Sequence, residues 1–287
     1  MQKKTVILIG GILLISFVGA LQFLPKPQSP PSPVSRTVSY GFEVKNNTNK
    51  LLKDIEVDVF APLLTTPFQK RVSISSTPES IPQNGTLTFT LTIPPYGTKL
   101  LTIESNLELF PRAYSNAPPS SGMFLGSEPF IDLENKEIEA LHPSLQRKNS
   151  LETALAIYSW VKDNISHSGY LKQAKGSTYA LRERNGDCTE YAALLVALAR
   201  KSNIPTKAVS GFFVTKDRFL RPIEFHTWTE LFFDNTWHLF DAHKAIALAD
   251  SEKFIAFGSV KDKEHASSGI SPLRFSSSAP GVTIRMR

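Results

Sequence analysis

One cysteine stands in 287 residues, Cys188, and its neighbours are those a nucleophile needs. Asp187 before it and Glu190 after it have capping-box spacing, so a helix begins here and runs through Tyr191 to Ala199. Cys188 then falls in the first helical turn. Unpaired backbone N–H groups and the helix dipole there favour a thiolate. The same N–H groups can donate to an oxyanion formed at an attacked carbonyl. Arg200, Lys201 and Asn203-Ile204-Pro205 end the helix. A lone cysteine forms no internal disulfide, so the fold must rest on its core. A structural cysteine of the small-hydrophobe kind belongs mid-helix on the apolar face instead.

His226 and Asp241 are the partners that such a thiol requires. Residues 223–233 and 236–240 read as a hairpin around Asp234-Asn235. A two-residue loop pairs Phe233 with Thr236, and by extension His226 with His243 and Trp228 with Asp241. Paired residues share a face, which makes His226 and Asp241 diagonal neighbours on one side of the sheet. The implied chemistry is acyl transfer: Cys188 attacks, His226 moves the proton, and Asp241 fixes the imidazole tautomer and stabilises its cation. Trp228 and Tyr170 are candidates for substrate contact, with Trp237 packing near the triad. No metal site is expected. His226, His238, His243 and Asp241 lie close in sequence, but His238 points away from His226 and Asp241, and the spacing matches no usual zinc pattern. His142, His167 and His265 have no supporting context. No cofactor is implied.

The elements that must position these groups fall into blocks. Lys3 and Lys4 precede an apolar run from Thr5 to Leu24, long enough to cross a bilayer with the amino terminus inside. Residues 1–24 therefore read as a membrane anchor, with a cleaved signal peptide as the alternative, and either exports the chain. No cysteine follows the run, so lipidation there is excluded. Residues 25–36 are a Pro-rich, polyproline-type linker. Over residues 37–110 the apolar period is two: Val38, Tyr40, Phe42 and Val44; Ile55, Val57, Val59 and Ala61; Leu87, Phe89, Leu91 and Ile93. Weaker strands are expected at 71–75 and 99–104, with turns at 46–49, 82–85 and 94–97. Five or more such strands predict a β-sandwich, a spacer or binding module without a cluster of titratable groups.

Residues 111–149 form a junction with one short helix near 133–141. Asn149 and Glu152 then cap a helix whose stripe of Leu151, Ala154, Leu155, Tyr158, Val161 and Ile165 is core. The α/β module spans 150–250, and 251–287 is an extension, irregular from Ala266 to Ala279, with Thr283 to Met286 as a possible last strand. The composition, 41% hydrophobic and 20% charged, is that of a globular protein. The net charge of +6 comes from scattered residues, with no basic block interleaved with aromatics, so nucleic acid is not an expected partner.

The blocks Gly186-Asp187-Cys188-Thr189-Glu190-Tyr191, His226-Thr227-Trp228-Thr229-Glu230 and Trp237-His238-Leu239-Phe240-Asp241 resemble the transglutaminase-like superfamily. Ile204-Pro205, ahead of a strand ending near Gly211, extends the likeness to about residues 150–245. The resemblance implies an α+β, papain-like domain, its cysteine helix packed on an antiparallel sheet that carries histidine and acid. The preceding sandwich looks like the strand-rich domain ahead of some bacterial members. Relatives include cross-linking enzymes, cysteine peptidases, deglycosylating amidases and inactive members; the active ones share a thioester step. Nothing resembles the calcium sites of the animal cross-linking enzymes. A second oxyanion donor often comes from a side chain upstream of the cysteine, for which Tyr170 and Tyr179 are candidates. The expected function is an exported, membrane-tethered enzyme acting on peptide or protein amides, with hydrolysis ahead of acyl transfer. The alternative is a noncatalytic envelope scaffold with a vestigial triad.

Overall fold

A computed structural model describes residues 32–260, 270 and 273–287. The expected anchor at 1–24, most of the Pro-rich linker and His265 lie outside the described residues. Among the described residues no helix is long and apolar enough to cross a membrane.

The two-residue apolar period becomes a two-sheet sandwich. Its long strands are β1 (Val34–Asn46), β2 (Leu52–Phe60), β3 (Gln69–Thr77), β4 (Thr86–Ile93) and β5 (Thr98–Leu109). One sheet runs Arg218–Phe219, β1, β5, β3 and Thr65–Thr66; the other runs Phe275–Ser277, β2, β4 and Ile81–Gln83. Val38, Tyr40, Phe42 and Val44 from the first sheet meet Val57, Val59, Leu87 and Phe89 from the second in one buried core. Each such side chain contributes roughly 1.5–3 kcal/mol relative to exposure. The threonines of β4 take the outer face, which is the alternation their spacing demands.

Three strands of this sandwich come from outside residues 37–110, with Arg218–Phe219 parallel to β1 as the first. Phe275–Ser277 adds to β2, inside the stretch 266–279 that its serines mark as irregular. The short pairing is made by backbone, with Phe275 packed against the core, so the side-chain pattern carries little signal. The last strand does form, at Val282–Met286, and lies antiparallel on β1 from Asn46 to Phe42.

Among the described residues four α-helices follow the sandwich: α1 (Lys136–Leu145), α2 (Ser150–Asn164), α3 (Ser177–Glu183) and α4 (Cys188–Lys201). Asn149 caps α2, its side chain accepting from the Glu152 N–H at 2.8 Å. Every residue of α4 from Glu190 to Arg200 is buried, so this is the central helix of the module. It packs with Ala154, Ile157 and Val161 of α2 and with Ala208, Leu231 and Phe240 of the neighbouring sheet. That sheet is antiparallel, in the order Ile246–Ala247, β8 (Thr236–Asp241), β7 (Phe225–Phe233), β6 (Thr206–Phe213) and β9 (Phe254–Ala256).

Residues 31–287 form one compact unit. The sandwich core is continuous with the second module through aromatic contacts. Phe60 of β2 lies 6.2 Å from Phe212, 5.7 Å from Phe225 and 4.7 Å from Phe257, ring centre to ring centre. The junction is held by Arg200. Its buried guanidinium pairs with Glu128 at 2.7 Å and donates to the carbonyls of Gly126 and Thr206.

Candidate active site

Helix α4 starts on two carboxylates that face each other. Asp187 Oδ1 accepts from the Thr189 N–H at 2.8 Å, and Glu190 Oε2 accepts from the Asp187 N–H at 3.1 Å, which completes the capping box. Their remaining oxygens hold the segment before α3. Asp187 Oδ2 accepts from Leu171 N–H at 2.9 Å, and Glu190 Oε1 from the N–H groups of Lys175 and Gly176 at 2.8 and 3.3 Å. Glu190 is fully buried, and burial pushes its carboxyl above the usual range against these donors. Position 186 must be glycine, because a Cβ there would lie 2.3 Å from Glu190 Cβ. Cys188 is the first helical residue, partly buried, and at that position its N–H has no intrahelical acceptor.

His226 is the second residue of β7, beside Gly211 of β6. A Cβ on Gly211 would stand 1.8 Å from the Ile255 carbonyl oxygen, so glycine lets β9 close against this end of the sheet. Asp234 and Asn235 have φ of 50° and 58°, the two left-handed residues of a type I′ turn. That turn pairs Phe233 with Thr236 and sets the register up to Thr229 with Phe240. The diagonal neighbours then meet: His226 Nε2 donates to Asp241 Oδ2 at 2.6 Å, and Asp241 Oδ1 accepts from the Lys244 N–H at 3.0 Å. Cys188 hydrogen-bonds the same imidazole, by elimination at Nδ1. Burial alone would push His226 down, but the bonds to Asp241 and Cys188 outweigh it and hold the imidazole up to about 9. The arrangement favours an imidazolium between the Cys188 sulfur and a bracing carboxylate.

Cys188 and His226 line a cleft of about 740 Å³, and Asp241 is buried behind the imidazole. His167 also lines the cleft, although its sequence context gives no hint of this. The parallel pairing of Ser166–His167 with Asn185–Gly186 brings it there, next to the start of α4. His243 Nε2 lies 3.1 Å from His167 Nδ1, and burial followed by the His226 charge pushes His243 down to about 4, so it stays neutral. His226, Asp241 and His243 have ligand atoms within 4.8 Å of one another, yet both imidazole nitrogens of His226 are engaged. A cation would have to displace the triad's own proton. His238 lies on the other face, stacked on Phe233 at 4.0 Å.

Tyr170 lines the cleft and is 75% exposed, free to touch a substrate. Trp228, the other candidate for substrate contact, is placed differently. It is buried at 1% exposure, stacked under His226 and against Phe254, and it does not border the cleft. It supports the histidine rather than reaching a ligand. Tyr179 is also unsuited as an oxyanion donor, since its hydroxyl donates to Asn185 Oδ1 at 3.0 Å. Arg274 lines the cleft from the far end of the chain and had no signal in the sequence.

Residues 140–242 match the family model of the transglutaminase-like superfamily, so the chain carries a transglutaminase-like domain there. Among solved structures, a candidate cysteine protease from Cytophaga hutchinsonii is similar over 88% of this chain and 92% of its own, with 18% identity and a TM-score of 0.51. The periplasmic domain of TgpA from Pseudomonas aeruginosa, bound to ethylmercury, is similar over 71% of this chain and 89% of its own, with 14% identity and a TM-score of 0.42. At 18% identity the first likeness is one of fold. No curated protein matches the sequence.

Proposed function

We propose, from the premise that residues 140–242 form a transglutaminase-like domain, that the protein is a cysteine-type enzyme acting on peptide or protein amides. The observation that carries this is the single imidazole held between Cys188 and Asp241. Cys188 Sγ attacks the amide carbon, and the Cys188 N–H is placed to donate to the oxyanion. His226, already protonated, gives its Nδ1 proton to the leaving nitrogen, and the C–N bond breaks to leave a thioester on Cys188. The imidazole, now neutral, takes a proton from water or an amine, which attacks the thioester and frees the thiolate. Asp241 keeps the ring oriented and stabilises its cation throughout.

The location proposed is outside the cytoplasm, tethered by the amino terminus, supported by Lys3 and Lys4 ahead of the apolar run from Thr5 to Leu24. The test incubates the protein and its Cys188→Ala variant with envelope proteins and an amine probe. Incorporation that needs Cys188 selects acyl transfer, and cleavage without incorporation selects hydrolysis. If the variant and the parent behave alike, the enzyme reading fails, and a binding or scaffolding role is left.

A further inference from the structure

The cleft beside Cys188 carries an unbalanced charge. Its cations are Lys172, Lys244 and Arg274, and its carboxylates are Asp187 and Glu224. Both carboxylates are already engaged. Asp187 accepts from the Thr189 and Leu171 N–H groups, and Glu224 takes the guanidinium groups of Arg218 and Arg221. Lys244 has its Nζ 4.6 Å over the Phe213 ring. Among the described residues no carboxylate pairs with Lys172, Lys244 or Arg274.

Arg274 is the group that gives this imbalance a direction. Its guanidinium carbon sits 5.0 Å over the ring of Phe225, the residue before His226. Burial disfavours its charge, and only Tyr170 offsets this, weakly. A guanidinium desolvated without a counter-ion is costly, and the cost is recovered when an anion arrives. The planar fork of arginine suits the two oxygens of a carboxylate, and stacking on Phe225 holds the plane in place.

We propose that Arg274, assisted by Lys172, is an anion subsite that binds a carboxylate on the substrate close to the scissile amide. The inference rests on the cysteine-enzyme reading and adds the substrate class to it: peptides with a carboxylate flanking the cleaved or transferred acyl group. That carboxylate has two sources, a chain-terminal α-carboxylate or an Asp or Glu side chain.

Three alkylators of one design separate these. N-iodoacetyl-glycine places an α-carboxylate one residue beyond the attacked carbon. N-iodoacetyl-glutamic acid α-amide offers only a side-chain carboxylate, and N-iodoacetyl-glycinamide carries no charge. The measurement is the second-order rate of Cys188 labelling, expressed for each protein as the ratio of charged to neutral reagent. In the parent at least one ratio should exceed one by about tenfold, the scale of a charge-assisted pair. Arg274→Gln should collapse that ratio toward one, and Arg274→Lys should keep part of it. Because the ratio is internal to each protein, differences in protein concentration cancel, and a urea unfolding curve for Arg274→Gln that matches the parent excludes labelling of an unfolded fraction. Whichever acid is preferred identifies the source. Normal labelling by the neutral reagent with no preference for either acid overturns the subsite alone, as does a preference that survives Arg274→Gln. Failure of all three reagents to label Cys188 overturns the enzyme reading and the subsite together.

Discussion

Asp241→Asn isolates the carboxylate that holds the His226 proton. In the parent, Asp241 Oδ2 receives Nε2–H at 2.6 Å while Oδ1 receives the Lys244 N–H at 3.0 Å. Asparagine has one oxygen for these two donors. If it keeps Lys244, its NH₂ faces the imidazole and favours the wrong tautomer; if it flips, the Lys244 N–H loses its acceptor. The charge is gone in both cases. Without it, burial is the largest remaining influence on His226, and the imidazole falls from about 9 to the ordinary 6.5 or lower. That fall is worth roughly 3 kcal/mol, or on the order of a hundredfold in the proton affinity of the imidazole. The assay is the rate of Cys188 alkylation by iodoacetamide from pH 5 to 10, with urea unfolding in parallel. Near pH 8, where an imidazole at 6.5 has lost its proton and one at about 9 has kept it, the variant should alkylate about thirtyfold more slowly, and the gap should be small at pH 6, where both are charged. The sign for stability is the same. A histidine raised on folding contributes stability that is complete below its unfolded value of 6.5 and lost as pH climbs through about 9. The variant's stability deficit should thus be largest at pH 6 and smallest at pH 10. Equal alkylation at pH 8, or a stability deficit that does not shrink with pH, refutes the argument that Asp241 keeps His226 charged.

The supports of the site can be tested apart from its chemistry. Glu190→Ala orphans the N–H groups of Asp187, Lys175 and Gly176. At roughly 1–3 kcal/mol for each donor left dry, reduced by the carboxylate's own burial cost, urea unfolding should show a net loss of about 2–4 kcal/mol. Hydrogen exchange of residues 171–176 should rise with it; unchanged exchange there sinks the reading that Glu190 ties this segment to α4. Arg200→Met strands the Glu128 carboxylate and the carbonyls of Gly126 and Thr206, and should cost about 3–5 kcal/mol in urea. Adding Glu128→Gln should recover part of that cost, and a double variant no more stable than the single one contradicts the pairing.

The parts of the site made by local rules were legible in the sequence. Asp187 and Glu190 cap a helix wherever they fall three apart, so Cys188 at its first turn could be read directly. The Asp234-Asn235 turn sets a two-residue loop, and strand parity then places His226 and Asp241 on one face without any knowledge of the rest of the fold. What could not be read depends on contacts between distant segments. Trp228 shares the face of His226, yet which groups on that face border solvent is decided by Phe254, which arrives from β9. His167 enters the cleft through a two-residue parallel pairing too short to leave a pattern. Arg274 and the strand after it carry no signal because serines dominate their neighbourhood, and the backbone pairing with β2 is indifferent to side chains.

Those late segments change what the sandwich is for. A spacer would leave the triad indifferent to it, but Phe225 joins the two directly. One side of its ring meets Phe60 and Phe212 in the shared core, and the Arg274 guanidinium lies over it. Arg274 is itself hung on the sandwich, its carbonyl accepting from the Phe60 N–H at 2.8 Å. The chain therefore uses one residue, adjacent to His226, to couple three things: the entry of β7 into the sheet, the sandwich core and the basic wall of the cleft. Removing the sandwich would expose the Phe225 ring and release Arg274 at the same time. If Arg274 is the anion subsite proposed above, the module ahead of the transglutaminase-like fold, with the strands returned from the chain's end, belongs to the substrate site and is more than a distance piece.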